Sequence, residues 1–270
     1  MIQKIALLSA LAITFLSCSS DDEGGTPTLQ NATLSINFSQ NFDGDEITNT
    51  DFDNLQYVNE HGETLSLSKL VYLVSDFKFV ATDGTVFQAE NYNLIDVRNN
   101  DGLSFSPDVT LPEGTYTVSF TFGFNDEDNA GNYPDLNSAD GGWNVPDPLG
   151  GGYHYMRMEG RYTAAGSTDE VNYQYHTIRA NRHSTLPPGP DTLIETTDTS
   201  FEVSLGEITI EGTTDIEVAM DVAEWFKNPN TWDLTELYTV LMPNYDAQIL
   251  MSENGEGGVF SLGSVISVSN

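Results

Sequence analysis

Hydrophobic and polar residues alternate along most of the chain, and a period of two is typical of half-buried β-strands. In the first such segment, which begins at Ala32, Leu34, Ile36 and Phe38 point one way and the polar residues between them point the other way. Further strand-like runs are predicted over residues 65–80, 86–95, 115–124, 153–162, 171–180, 200–205, 207–210, 216–222 and 259–268. Turn signals rich in Gly, Pro, Asn and Asp separate many of these runs.

Helical patterns are short and occur late in the chain. Residues 223–227, 234–241 and 244–251 have helical character, and Pro243 breaks the second of these segments. No internal repeat is visible, and no glycine-rich fingerprint leads from a strand into a long helix. The pattern predicts an all-β protein, a β-sandwich with Greek-key-like connections and short late helical inserts. A β-barrel is the alternative.

The first residues have the pattern of a bacterial export signal. Lys4 precedes an apolar run over residues 5–15, which is too short to span a bilayer as a stable helix. Leu16-Ser17-Cys18 resembles the lipobox of lipoproteins, in which the cysteine is lipidated and becomes the first mature residue. We therefore expect a signal peptide over residues 1–17, lipid attachment at Cys18 and an outer-membrane lipoprotein on the periplasmic or cell-surface face. An ordinary signal peptide with a coincidental cysteine is the alternative.

After the anchor, residues 18–31 are rich in small and polar residues and are predicted to be a flexible tether. Residues 32–270 are predicted to form one domain, since this length is within the range of a single large β-domain. Cys18 is the only cysteine, so disulfides contribute nothing and the hydrophobic core must hold the fold.

The charge balance narrows the set of partners. Nine Lys and Arg residues stand against 41 Asp and Glu residues, which gives a net charge of −32. Such a field repels phosphate backbones, so we expect no nucleic-acid binding. The acidic loop 125–140 offers oxygen ligands that suit Ca²⁺, but it lacks the spaced calcium-loop motif, and a solvated loop is the simpler interpretation.

Enzyme chemistry is not indicated. The chain has no G-x-S-x-G motif and, once Cys18 is lipidated, no thiol nucleophile. Carboxylates are plentiful, but no pair stands out as a glycosidase-type acid and base. The sequence therefore predicts a protein that is not an enzyme.

The candidate chemistry lies in the segment from Trp143 to Arg161, which contains one of the four histidines. His154, Met156 and Met158 occupy alternate positions, so in a regular strand they would share one face. A second histidine, His176, lies in the next predicted strand. Imidazole together with thioether is a ligand set that suits copper.

The register of this predicted hairpin decides whether the two histidines meet. If His176 faces Met156, then His154 and His176 are diagonal neighbours, roughly 7–8 Å apart, on one face. If His176 faces Arg157, the two histidines are expected to point to opposite faces, where they cannot share an ion. A role in strand packing is the alternative for both. The other two histidines, His61 and His183, are predicted to be exposed.

Several segments in a fixed order carry a family resemblance. They are residues 68–76 with the turn Asp83-Gly84, residues 112–123, Trp143, residues 152–160, Tyr175-His176, Met242-Pro243 to Asn254, and residues 259–261. Together they resemble the MbnP-like family of bacterial copper-binding proteins, which is named for a protein associated with methanobactin. The resemblance covers residues 34–262, nearly the whole of the predicted domain.

This resemblance implies a β-sandwich-like periplasmic or lipid-anchored protein. Founding members of the family bind copper through histidines and an oxidised tryptophan, kynurenine, and are often paired with a dihaem peroxidase-like protein that performs the oxidation. By position, His176 is the family-type histidine and Trp143 the corresponding tryptophan.

Two family-type histidines are missing from this chain. The first strand reads Phe38-Ser39-Gln40-Asn41, and the late segment reads Met242-Pro243-Asn244. His154 stands where the family usually has an apolar residue, so it either replaces a lost ligand or is an incidental substitution.

The sequence thus predicts a lipid-anchored copper-binding or copper-handling protein outside the cytoplasm. The predicted site consists of His154 and His176 as ligands, with Met156, Met158 and Trp143 as accessory residues. The alternative is a surface binding module for a glycan or protein, with the metal site lost and with Trp143 and the tyrosine-rich hairpin forming a recognition face.

Overall fold

The computed structural model of the protein describes residues 30–189 and 191–269. The predicted signal peptide, Cys18 and the tether up to residue 29 lie outside these ranges. Within them, no helix is both long enough and apolar enough to cross a membrane.

Strands make up most of the regular structure. In chain order they are β1 (Asn31–Phe42), β2 (Asp45–Glu46), β3 (Tyr57–Val58), β4 (Thr64–Leu65), β5 (Lys69–Ala81), β6 (Val86–Gln88), β7 (Asn93–Asp96), β8 (Ser104–Phe105) and β9 (Leu111–Pro112). They continue with β10 (Gly114–Phe122), β11 (Met156–Thr163), β12 (Val171–Thr177), β13 (Ala180–His183), β14 (Leu193–Thr197), β15 (Phe201–Ile210), β16 (Thr213–Asp221) and β17 (Phe260–Val268).

The helices are few and short. They are α1 (Asp126–Asn129) and α2 (Tyr245–Glu256), together with 3₁₀ helices over Ala139–Gly141, Asp147–Leu149 and Val222–Phe226. The prediction of an all-β, sandwich-like fold with short late helices is confirmed.

Two large sheets carry the architecture. One has the order β17-β16-β1-β2, with β8 and β9 also paired to β1. The other has the order β15-β10-β5-β11-β4-β3, with β12 on β11 and with β6 and β7 on β5. The β13–β14 hairpin forms a small separate sheet. Neighbouring strands are thus often far apart in sequence, and β1 pairs with β16 in parallel.

The core lies between the two large sheets. Tyr72 of β5 packs against Phe38 of β1 and Phe260 of β17, with ring centroids 6.3 and 6.1 Å away. Alternate residues of β1 are buried, as the period-two pattern predicts. The series includes Gln40, whose Nε2 donates to the Tyr72 hydroxyl at 2.9 Å, so this buried amide is satisfied.

The helical predictions are confirmed only in part. The predicted helix over residues 234–241 is absent, and Val240 has a positive φ of 57°, which is incompatible with a continuing helix. In contrast, α2 runs beyond the predicted end at residue 251. Its N-cap, Asn244, accepts a hydrogen bond from the Ala247 N–H. Near its end, Asn254 donates to the carbonyl oxygens of Trp225 and Asn230, so tertiary contacts extend the helix.

Candidate metal centre

The β11–β12 hairpin brings the two candidate histidines into one region. Arg157 faces His176, and on either side of this pair Met156 faces Thr177 and Met158 faces Tyr175. In this register, a regular hairpin would place His154 and His176 on opposite faces, as stated in the sequence-based prediction.

A bulge at the start of β11 overturns that prediction. The Tyr155 N–H donates to the carbonyl oxygen of Thr177 at 2.8 Å, and Thr177 is also the residue that Met156 faces. Two residues on one strand thus oppose one residue on the other, which is the definition of a β-bulge. Tyr155 and Met156 are both fully buried. Because Tyr155 and Met156 point to the same face, the alternation of side chains between the two faces shifts by one residue here. His154 and Arg157 therefore point to the same, opposite face of the sheet.

The two imidazoles meet on that face. The ring centroids of His154 and His176 lie 5.6 Å apart, with the ring planes at 84°. Both side chains are withdrawn from solvent, since His154 is 3% exposed and His176 is 9% exposed. The two imidazoles thus lie on the face of the sheet opposite to Met156 and Met158, and Trp143 continues the buried cluster over them.

Neighbouring groups fix the ring of His154. Its Nδ1 lies 2.9 Å from the carbonyl oxygen of Trp143. Burial, reinforced by the positive charge of Arg157, lowers the pKa of His154 to about 3, so the ring is neutral. The carbonyl can only accept, so Nδ1 carries the proton and Nε2 keeps its lone pair. The Arg157 Nη2, 3.2 Å from Nδ1, is a second donor and therefore makes no hydrogen bond to this tautomer.

His176 is held by a carboxylate. Its Nε2 lies 2.9 Å from Glu159 Oε1, and this hydrogen bond lowers the pKa of Glu159 below its usual range. In the tautomer whose proton lies on Nε2, the lone pair lies on Nδ1. Within the described residues, neither His176 Nδ1 nor His154 Nε2 has a hydrogen-bond partner among the protein's own groups.

Trp143 covers the site. Its indole is fully buried, with a centroid 5.7 Å from that of the His154 ring. The Arg157 guanidinium carbon lies 4.7 Å from the centre of the indole, which is within the range of a cation–π interaction. The indole Nε1 is buried without a hydrogen-bond partner among the described residues.

Asp140 anchors the loop that carries Trp143. Its carboxylate accepts hydrogen bonds from Lys69 Nζ at 2.7 Å and from Arg157 Nη1 at 3.1 Å. Lys69 belongs to β5 and Arg157 to β11, so one carboxylate links the loop to two adjacent strands. The positive charge next to the imidazoles is thereby balanced by Asp140, while Glu159 adds a second negative charge.

The run Gly150-Gly151-Gly152 allows the loop to return into the hairpin. All three residues have positive φ, at 107°, 66° and 78°. At two of them a side chain would also collide with a neighbour. A Cβ at Gly150 would lie 2.3 Å from the side chain of Asn181, and one at Gly152 would lie 2.7 Å from that of Asn129.

Several predicted site features are wrong. Met156 and Met158 are fully buried on the core side of the sheet, opposite to the imidazoles, because the bulge separates their face from that of His154. The recognition face expected of a binding module is also not formed. Trp143 is buried, and so are the tyrosines of the hairpin strands, Tyr162, Tyr173 and Tyr175.

The sequence also missed one group of side chains that could bind a metal. His61, Glu63 and Asp233 each offer a ligand atom, and these atoms lie within 4.8 Å of one another. His61 is exposed, as predicted, but Asp233 comes from a distant loop and carried no signal. His183 is half-buried rather than exposed, and its Nδ1 lies 2.9 Å from Thr192 Oγ1.

Fold and site together define an all-β protein in which a tryptophan-bearing loop covers a buried pair of imidazoles. Residues 31–243 match the model of the MbnP family, and the chain belongs to that family. This confirms the resemblance seen in the sequence. Among solved structures, the chain is similar to MbnP from Methylosinus trichosporium, with 15% identity and a TM-score of 0.45 over 75% of this chain and 80% of that chain. A search of the curated proteins finds no significant match.

Proposed function

We propose that this member of the MbnP family is a lipid-anchored copper-binding protein that works outside the cytoplasm and is not an enzyme. The copper ligands are His154 Nε2 and His176 Nδ1. Copper is the ion of choice because neutral imidazoles suit it and because membership of the family points to it.

One observation carries the proposal. Histidines that bind metals almost always donate their other ring N–H to a carboxylate or a backbone carbonyl, which fixes the tautomer and the ring orientation. Here His154 donates to the carbonyl of Trp143, and His176 donates to Glu159. Two independently oriented rings thus keep their free lone pairs within one buried site, 5.6 Å apart between centroids.

The surrounding charges favour a copper ion of low charge. Arg157 lies beside His154, and its guanidinium opposes the approach of a cation. Asp140 pairs with Arg157, and the carboxylate of Glu159 lies behind His176. Monovalent Cu(I) therefore fits the site better than a divalent ion.

Trp143 is the proposed target of a dihaem peroxidase-like partner. With two molecules of hydrogen peroxide as the oxidant, the indole double bond between Cγ and Cδ1 is cleaved, each of these carbons gains one oxygen atom and two molecules of water are formed. Hydrolysis then releases the Cδ1 carbon as formate and leaves kynurenine. The intact mass of the chain after co-expression with such a partner tests this step, and the mass of the peptide that contains Trp143 locates the change. An unchanged mass of that peptide contradicts the proposal.

The copper site is tested by anaerobic Cu(I) titration against a competing chelator, on purified protein lacking residues 1–18. We expect about one copper per chain. His154→Ala and His176→Ala should each abolish tight binding, whereas His183→Ala, a histidine outside the site, should not. Circular dichroism shows whether each variant is folded. Tight binding that survives the double replacement of His154 and His176 contradicts the site.

A further inference from the structure

A second cluster lies where two loops meet. His61 belongs to the turn between β3 and β4, and Asp233 follows the last 3₁₀ helix. The ring of His61 lies between two carboxylates, with Nδ1 2.6 Å from Glu63 Oε1 and Nε2 3.6 Å from Asp233 Oδ2. This cluster shares no residue with the site around His154 and His176.

The cluster includes a buried carboxylate that is only half satisfied. The side chain of Glu63 is 1% exposed, and its Oε2 has no hydrogen-bond partner among the described residues. Its Oε1 has His61 as its partner. A buried carboxylate oxygen without a donor is costly, so such a group calls for a cation that can contact it directly.

The charges around the cluster also favour the binding of a cation. The negative charges of Glu63, Asp233 and Glu236 all act on His61. Among the described residues, His61 is the one basic side chain within ion-pair distance of Glu63 or Asp233. Lys and Arg side chains pair with other carboxylates, so a single imidazole stands against several negative charges.

Hydrogen bonds fix the backbone of the turn that carries Glu63, whereas the imidazole of His61 is partly exposed. Asn59 Oδ1 accepts hydrogen bonds from the backbone N–H groups of Gly62 and Glu63, at 3.0 and 2.9 Å. The side chain of His61 is 43% exposed, so burial does not block a rotation that brings one nitrogen towards both carboxylates. The present separation of 3.6 Å between Nε2 and Asp233 Oδ2 is close to the ~3.4 Å expected between two ligands bound tetrahedrally at ~2.0–2.1 Å.

We infer that His61, Glu63 and Asp233 form a second metal site, which binds a divalent transition-metal ion of the zinc class. One imidazole and two carboxylates provide three protein ligands, and water completes the tetrahedron. The nitrogen ligand favours zinc over calcium or magnesium, which prefer oxygen. The divalent cation contacts the carboxylate of Glu63 and offsets the local negative charge.

The test is a Zn²⁺ titration of the purified full-length protein against a chromophoric chelator, with Co²⁺ absorption as a signature of tetrahedral geometry. His61→Asn and Asp233→Asn alter partly exposed side chains, so the fold should survive. Each should weaken Zn²⁺ binding by at least about tenfold. Glu63→Gln should do the same; if it fails to fold, the other two variants decide.

Two controls separate this site from other ways of binding zinc. Glu60→Gln removes an exposed carboxylate from the same turn and should leave the affinity unchanged. The double replacement of His154 and His176 by Ala should also leave it unchanged. Zinc affinity that is insensitive to His61→Asn and Asp233→Asn overturns the inference, as does zinc binding that is lost only with His154 and His176. The Cu(I) titration gives an independent result, so either site can fail without the other.

Discussion

His154 and His176 meet edge to face, with ring centroids 5.6 Å apart, although His154 is not the residue that faces His176 across the hairpin. That position belongs to Arg157. The bulge at Tyr155 and Met156 explains the relationship, because it turns both of these side chains into the core and moves His154 to the opposite face. One extra residue in β11 thus lets the same strand contribute to both the core and the site.

The carboxylate behind His176 should control copper affinity. Glu159→Gln keeps the shape of the side chain but removes the charge that accepts the Nε2 proton of His176. We expect Cu(I) affinity to fall by about 10–100-fold, because the ring is less basic and less firmly oriented. Competition with a Cu(I) chelator measures the change. Glu170→Gln is the matched control, since Glu170 pairs with Arg161 at an exposed position of the same hairpin. Equal affinities for wild type and Glu159→Gln would show that Glu159 does not tune the ligand.

Burial of His154 should make the copper-free protein sensitive to acid. The pKa of His154 is about 3 in the folded chain, against an ordinary value of 6.5. Between these values the unfolded chain binds the proton more readily, so stability falls as the pH is lowered from ~6.5 towards ~3. The slope attributable to this group is about 1.4 kcal/mol per pH unit. Urea unfolding of chelator-treated protein at a series of pH values measures it.

The control for this pH dependence is His61, whose pKa is shifted the other way. The hydrogen bond to Glu63 raises the pKa of His61, so its contribution is present below ~6.5 and is lost as the pH rises through the raised value. Replacing His154 by Gln should flatten the acid side of the stability profile, whereas His61→Asn should not. An unchanged acid slope in His154→Gln would mean that His154 does not cause it.

The carboxylate of Asp140 should contribute to stability by holding the loop over the site. Asp140→Asn removes the negative partner of Lys69 and Arg157, and Arg157 is too buried to recover full solvation. We expect a loss of about 1–3 kcal/mol in the free energy of unfolding. Urea denaturation gives the value. Glu170→Gln, which breaks an ion pair with Arg161 in which both side chains are exposed, should change stability by less than about 1 kcal/mol. Similar losses in both variants would argue against a special role for Asp140.

The local fold was predictable because burial in a strand follows a period of two. Leu34, Ile36 and Phe38 are buried as the alternation requires. The parallel pairing of β1 with β16 was not predictable, because it joins segments from opposite ends of the chain and no local pattern encodes the partner. The end of α2 was missed for a related reason, since Asn254 is fixed by contacts with Trp225 and Asn230.

The site shows what a simple alternation rule overlooks. In the sequence, apolar residues occupy odd positions at Tyr153 and Tyr155 and then even positions at Met156 and Met158. This change of parity is the sequence signal of the bulge, and the rule that places all even positions on one face ignores it. The cluster of His61 and Asp233 has no such signal, because only the tertiary fold joins the two loops.

Any side chain at Gly152, where the loop re-enters the hairpin, should lower both the stability and the copper affinity of the protein. Gly152→Ala forces an alanine to adopt a φ of 78° and places its Cβ 2.7 Å from the Asn129 side chain, whose Oδ1 accepts a hydrogen bond from the Tyr153 N–H.

Gly166→Ala is the matched control, because Gly166 has a nearly identical φ of 77° but nothing within 4 Å of a Cβ. The control should cost about 1–2 kcal/mol from the backbone alone. Gly152→Ala should cost about 1–3 kcal/mol more and also weaken Cu(I) binding, because the displaced segment leads directly into His154. Urea unfolding and chelator competition on both variants measure these effects, and equal stability losses with unchanged copper affinity would show that the close packing against Asn129 does not position the site.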